Sequence, residues 1–324
     1  MEISASFVPA PLTEALLSGA VRPRDLELRW DGYGPAATTN EIIEKNSRRM
    51  VALELDVAEM SFGTFTAARS HGVPIVALPV YPGRRILQQG IYFAPGANFQ
   101  SPADLRGKRV GIAQFWMTAS VWHRLILRQS HGVSQGEVTW VTTQPERGDW
   151  LPEPPGVRIE PDLSGSPEEL LVSGRVDAIM SPRPVAGSAD GRKELIPAHP
   201  DPVAVQCDYY RKTGVFPIIH LIVVRQELAE REPWIVESLC NAFQEAKQLG
   251  LDTAIASPAD TPIWGGKPGD VQPLFGEDPF AYGVTPNRRV LETWLADMYE
   301  HQHMIDRPLT VEELFPTNLP SPFR

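Results

Sequence analysis

The chain has 324 residues, of which 42% are hydrophobic and 22% charged, a length and balance that suit two lobes of ordinary domain size better than one small core. Its formal net charge of −10 argues against nucleic acid as a partner, because phosphate binding needs clustered Lys and Arg. The two cysteines, Cys207 and Cys240, are too few for a disulfide framework or a four-cysteine zinc site. They read as free thiols, Cys240 in a helical core, with a single bridge between them left open.

The N-terminus enters an alternating strand pattern at residues 2–8, without a basic segment ahead of a long apolar run. With no stretch of 18 or more apolar residues, the expectation is a cytoplasmic protein without a membrane partner. Residues 11–18 read as a short helix closed by Gly19, and 26–30 as a strand. Asn40 is expected to cap a helix carrying Ile42, Ile43 and Leu53. Asp56–Ser61 reads as strand, 64–71 as helix and 74–80 as a buried strand, an alternation that predicts a mainly parallel sheet covered by helices.

Ser101-Pro102 begins a helical turn ahead of a strand at 107–113, and a helix follows from about Thr118 to Gln129. Val138–Val141 reads as strand, and the proline-rich run 144–163 as a surface connection. Ser166, Pro167 and Glu169 form a capping box with proline at the first helical position, before a strand at 176–180. Beyond residue 205 come a strand at 218–224 and an amphipathic helix at 233–248, with Ile235, Val236, Leu239, Cys240 and Phe243 on one face. Another helix starts at Thr285-Pro286, and Thr310 with Glu313 forms a last capping box. Residues 1–95 and 205–324 are expected to build one lobe and 96–204 a second, with a ligand between them where strand C-termini converge.

Several residues carry candidate chemistry. Thr118, Ala119 and Ser120 open a helix whose N–H groups and dipole suit a carboxylate, with Phe115 and Trp116 just ahead to stack on an aromatic ring. The same residues also read as a capped helix with two core aromatics. Glu59 and Ser61 end a strand, where Glu59 is either an acid or orienting group or a surface salt-bridge partner. Arg84 and Arg183 each follow a strand end and either clamp a carboxylate or lie at the surface. His220 sits in the apolar run FPIIHLIVV, where a lone histidine is ordinarily a satisfied core residue. His123, about a turn and a half into its helix, is expected to be exposed, and His301 and His303 do not share a helix face. The chain carries no HExxH, cysteine cluster, P-loop, GxSxG or strand-borne GxGxxG, so neither a metal nor another cofactor is expected.

Five stretches resemble the 4,5-dihydroxyphthalate decarboxylase family: DVAEMSF at Asp56–Phe62, PVYPGRRILQQGIY at Pro79–Tyr92, Asp104–Val133, Asp208–Lys247 with KTGVFPIIH, and Gly276–Phe315 with YGVTPNRRVLE. They run over most of the chain in the family's order. The resemblance implies an α/β, two-lobed periplasmic-binding-protein type II fold, with mixed, mainly parallel sheets, helices on both faces and a ligand cleft between the lobes. It also implies a cofactor-independent decarboxylase of aromatic compound metabolism, acting on a hydroxylated aromatic or related cyclic carboxylate and assembling as a homo-oligomer.

Under that resemblance, His220 is the first candidate for proton donor and Glu59 the second. Ser61, Arg84, Trp116, Thr118, Ala119, Ser120, Arg183 and Phe216 are expected to bind substrate. The departures bear on the pocket. After Pro82 the family usually shows Ser-Arg and then Phe-Arg-His; this chain keeps Arg84 but has Gly83, Leu87 and Gln88. Gln114-Phe115 stands for Glu-Tyr, Pro262-Ile263-Trp264 for Pro-Trp-Leu, and Pro279–Gly283 for Phe-Trp-Pro-Tyr-Gly. An altered substrate is therefore expected. The alternatives are a carboxylate-binding protein without catalysis, or a lyase or isomerase of specialised metabolism on the same scaffold.

Overall fold

Two strand–helix alternations, each with its own sheet, account for most of the chain in a computed structural model that describes residues 1–34, 37–148, 150–185, 195–256, 278 and 280–324. Met1–Arg84, Ile218–Leu295 and Ile305–Arg324 form one unit, and Arg85–Pro217 with Ala296–Met304 the other. The crossings thus fall at 84/85 and 217/218, not at 95/96 and 204/205 as the sequence suggested. The reason is pairing: β5 (Ile91–Phe93) joins the second sheet by lying antiparallel to β9 (Ala178–Met180).

The first unit holds a five-stranded sheet in the order β2-β1-β3-β11-β4, from β1 (Glu2–Ser6), β2 (Glu27–Trp30), β3 (Val57–Ser61), β4 (Ile75–Arg84) and β11 (Ile218–Arg225). β1 runs parallel to both neighbours, whereas β11 enters antiparallel between β3 and β4. β4 continues past its expected end at residue 80 because it is irregular there: His220 pairs with Gly83 while Ile222 pairs with Leu78. Surplus residues in one strand bow it outward and free it from ladder bonding, which accommodates Pro79 and Pro82 inside the strand.

The unit's helices are α1 (Glu14–Leu17), α2 (Thr39–Val51), α3 (Phe62–Ser70), α7 (Gln226–Arg231), α8 (Pro233–Ala256) and α9 (Arg288–Ala296). Thr38, not Asn40, caps α2, because only Thr38 has a glutamate three positions on to complete a reciprocal box with Glu41. The expected face of α8 is buried as a set at Ile235, Val236, Leu239, Cys240 and Phe243, and burial of each large apolar side chain stabilises by roughly 1.5–3 kcal/mol. Trp294 of α9 stacks on Phe62 of α3 at 4.7 Å and donates to Thr66 Oγ1 at 3.0 Å. The capping pair at Thr310 and Glu313 forms as expected.

The second unit holds a six-stranded sheet in the order β10-β5-β9-β6-β7-β8, with β6 (Arg109–Ile112), β7 (Thr139–Thr142), β8 (Arg158–Pro161) and β10 (Ile196–Pro197). β9, β6, β7 and β8 are mutually parallel, and β5 runs antiparallel to both its neighbours, β9 and β10. β8 corrects the reading of 144–163 as connection alone: an edge strand tolerates its terminal Pro161. Helix α6 (Pro202–Thr213), closed by a left-handed Gly214, was likewise not foreseen. Helix α4 (Thr118–His131) packs inward, and α5 (Pro167–Val172) starts on the expected Ser166 capping box. Cys207 and Cys240 are both buried and are not joined by a disulfide. Among the described residues, no helix is long and apolar enough to cross a membrane.

Candidate active site

Three neighbouring strands of the first unit bring the strongest candidates together. Ser61, the last residue of β3, lies directly across from His220 of β11, and His220 lies across from Gly83 at the end of β4. Glu59 pairs with Ile222, so its side chain emerges on the same face as His220, one diagonal step away. At that spacing His220 Nδ1 meets Glu59 Oε1 at 2.8 Å. The second carboxylate oxygen accepts from the Val8 backbone N–H at 3.0 Å, and Glu59 is buried. A carboxylate with two donors is an acceptor only, so Nδ1 carries the proton and Nε2 is the end available for chemistry.

The surroundings hold this pair in place. Asn46, fully buried on α2, donates to the Glu59 and Ser6 carbonyls at 3.0 Å each and accepts from Tyr33. Thr13 Oγ1 donates to the carbonyl of Val8 at 2.6 Å, fixing the residue whose N–H orients Glu59. Gly83 lets the imidazole lie against β4: a Cβ there would stand 3.2 Å from His220 Cβ, Cγ and Nδ1. Arg84 is buried at the end of β4, donates to Asn287 Oδ1 and lies over the Tyr81 ring at 5.6 Å. On α8, Lys247 is buried beside them, bonded to Asp278 at 2.5 Å and to the Phe280 carbonyl at 3.2 Å, with its ammonium 4.4 Å from the Tyr282 ring centroid. Burial draws the Lys247 ammonium below its ordinary range, and Asp278 opposes that shift.

The other candidates lie in the second unit. Thr118, Ala119 and Ser120 form the buried first turn of α4, as expected. Trp116 is buried and donates from Nε1 to the Pro152 carbonyl at 2.9 Å, and Phe115 lies beneath the Arg124 guanidinium at 3.7 Å. Both aromatics therefore take part in that unit's own packing. Just ahead of the helix, the Phe115 and Trp116 backbone N–H groups donate to Glu146, whose carboxyl is pushed up by burial. Phe216 is buried ahead of β11, and Arg183 is exposed in the turn after β9. Pro262-Ile263-Trp264 and Pro279 lie outside the described residues. Among those described, no group of three His, Cys, Asp or Glu side chains is placed to hold a metal.

His123 reverses an expectation: it is buried, with Nε2 against the Leu87 carbonyl at 3.1 Å. Burial, the larger effect, pulls its pKa down to about 4. Because the unfolded imidazole titrates near 6.5, the unfolded chain binds the extra proton first as pH falls. The stability this group contributes is complete above about pH 6.5 and is lost down to about pH 4. Urea unfolding at pH 7 and 4.5 should therefore show His123→Gln losing about 2–3 kcal/mol less than wild type over that interval. Equal losses would place the acid sensitivity elsewhere.

Together, the two sheets give the chain an α/β fold of the periplasmic-binding-protein type. Its structure is similar to the periplasmic aliphatic sulphonate binding protein SsuA from Escherichia coli, with a TM-score of 0.56 at 13% identity over 99% of this chain and 94% of that one. It is also similar to DSZB in complex with biphenyl-2-sulfinic acid, at TM-score 0.54 and 14% identity over 98% and 97% of the two chains. No protein-family model matches the sequence. Curated relatives give the family: the 4,5-dihydroxyphthalate decarboxylase of Pseudomonas putida is 32% identical over 203 residues, 59% of this chain and 77% of that protein. The enzyme of the same name from Comamonas testosteroni is 29% identical over 313 residues, 92% and 93% of the two chains. The chain belongs to the 4,5-dihydroxyphthalate decarboxylase family.

Proposed function

We propose that the protein is a cofactor-independent decarboxylase of a hydroxylated aromatic or related cyclic carboxylate, with His220 as proton donor and Glu59 as the group that orients it. The observation that carries the reading is the Nδ1–Oε1 hydrogen bond of 2.8 Å, which commits one imidazole nitrogen to a buried carboxylate and leaves the other for a substrate. Relatives named as decarboxylases over most of the chain support the reaction class.

The chemistry follows from the pair. A ring hydroxyl ortho or para to the carboxylate pushes electron density to the carbon bearing it. The Nε2–H of the imidazolium protonates that carbon, and Glu59 stabilises the imidazolium until transfer. The carbon–carboxylate bond then breaks, its electron pair restores the aromatic ring, and carbon dioxide leaves. One proton is consumed per turnover, and His220 recovers it from water. Arg84 suits the role of holding a substrate oxygen.

Turnover in deuterium oxide should place one deuterium on the vacated ring carbon, read by mass spectrometry and proton NMR of the product. Product formed without deuterium at that carbon would contradict protonation by an exchangeable side chain.

A further inference from the structure

Two phenols near Arg84 are buried without a bonding partner among the described residues. Tyr81, on the irregular stretch of β4, is 0% exposed, and Tyr282 is 6% exposed. Among the described residues, neither hydroxyl has a hydrogen-bond partner. Leaving a buried hydroxyl unpaired is destabilising, so two of them near one arginine need a reason.

The turn carrying Tyr282 is held from several sides, so the phenol is not left over from loose packing. Asn287 donates to the carbonyls of Ala281 and Gly283 at 2.8 Å each, which flank Tyr282, while its own oxygen accepts from Arg84. The Gly283 N–H donates to the Pro79 carbonyl at 2.8 Å, with Gly283 at φ 102°, a conformation that favours glycine. Lys247 bonds the Phe280 carbonyl and covers the Tyr282 ring. The Tyr282 hydroxyl thus sits on a fixed support, within electrostatic range of both Arg84 and Glu59. Burial holds both phenols in the O–H form, so each remains a donor.

Consider what such a group would accept. Arg84 can only donate, and both Glu59 oxygens are already engaged. Two neutral O–H donors around a guanidinium match an anionic group with several lone pairs. We infer that Tyr282 and Tyr81, with Arg84, form a carboxylate-binding subsite next to the Glu59–His220 pair, with Tyr282 a residue that selects aromatic carboxylates. The inference rests on the proposed reading of that pair as the reacting centre, but its test is binding and does not need turnover.

Tyr282→Phe removes only the unpaired oxygen. The ligand-free variant should therefore melt at or above the wild-type temperature, while its affinity for 4,5-dihydroxyphthalate and 3,4-dihydroxybenzoate, read by titration calorimetry, falls about tenfold or more. Binding of 1,2-dihydroxybenzene, which has the hydroxyls without a carboxylate, should be equal in both proteins, whether weak or absent. Tyr81→Phe should show the same pattern and provides a second variant. Acid affinities unchanged in both variants would overturn the subsite, as would a wild type that binds neither acid. If wild type releases no carbon dioxide yet binds the acids through Tyr282, the decarboxylase reading fails and the subsite stands.

Discussion

Replacing His220 with Ala is expected to cut carbon dioxide release by about 10²–10⁴-fold, the range a positioned general acid contributes. Its side chain keeps 16% exposure, but its removal takes one donor from the buried Glu59, so the variant should still fold while losing about 1–3 kcal/mol of stability. Glu59→Gln should be impaired as well: the amide retains the shape but no longer balances an imidazolium, and it presents a donor to Nδ1 in one of its orientations. Steady-state rates beside melting curves separate the two effects. An His220→Ala protein that folds and turns over at the wild-type rate removes His220 from the chemistry.

The second large effect is on stability. Arg124 is buried in α4, where its Nε donates to Gln302 at 2.8 Å and one Nη to the Phe115 carbonyl at 2.9 Å, with the plane over the Phe115 ring. Burial pulls its pKa down to about 9, which still leaves it charged at neutral pH. Arg124→Ala should cost about 3–5 kcal/mol in urea unfolding, because it strands Gln302 and the Phe115 carbonyl and unbalances the nearby Glu146 and Asp297. Arg124→Lys should recover only part of this, since an ammonium can neither fork its donors nor stack flat on the ring. A loss under 1 kcal/mol for the alanine variant would mean that water or a rearranged side chain satisfies the stranded groups.

The parts legible in the sequence were those fixed by local pattern. The apolar spacing of Ile235 to Phe243 specified a helix face, and the Ser166–Glu169 box specified a helix start, both from neighbouring residues. β8 was hidden because the prolines around Arg158–Pro161 mask a short edge strand. His123 was misjudged because helical position alone does not say which face its neighbours cover, here the segment carrying the Leu87 carbonyl.

The site was legible as separate residues but not as a constellation. Glu59 and His220 each stood out at a strand, yet they are 161 positions apart, and only the antiparallel entry of β11 sets them diagonally across from each other. Strand pairing of that range depends on tertiary packing, which no local pattern encodes. Asn46, Asn287 and Lys247 were missed because a polar residue on a helix ordinarily faces water. The Tyr-Gly pair retained at Tyr282-Gly283 was the available sign that this turn matters, and its unpaired hydroxyl became visible only in the fold.

Carbon dioxide release by the purified protein decides whether the proposed reaction takes place. The measurement uses no added cofactor, with 4,5-dihydroxyphthalate and a panel of hydroxylated aromatic acids as substrates. Release from at least one acid, stoichiometric with the decarboxylated product and abolished by His220→Ala, is the predicted result. No release from any acid, by protein that is folded and binds one of them, would contradict the decarboxylase assignment.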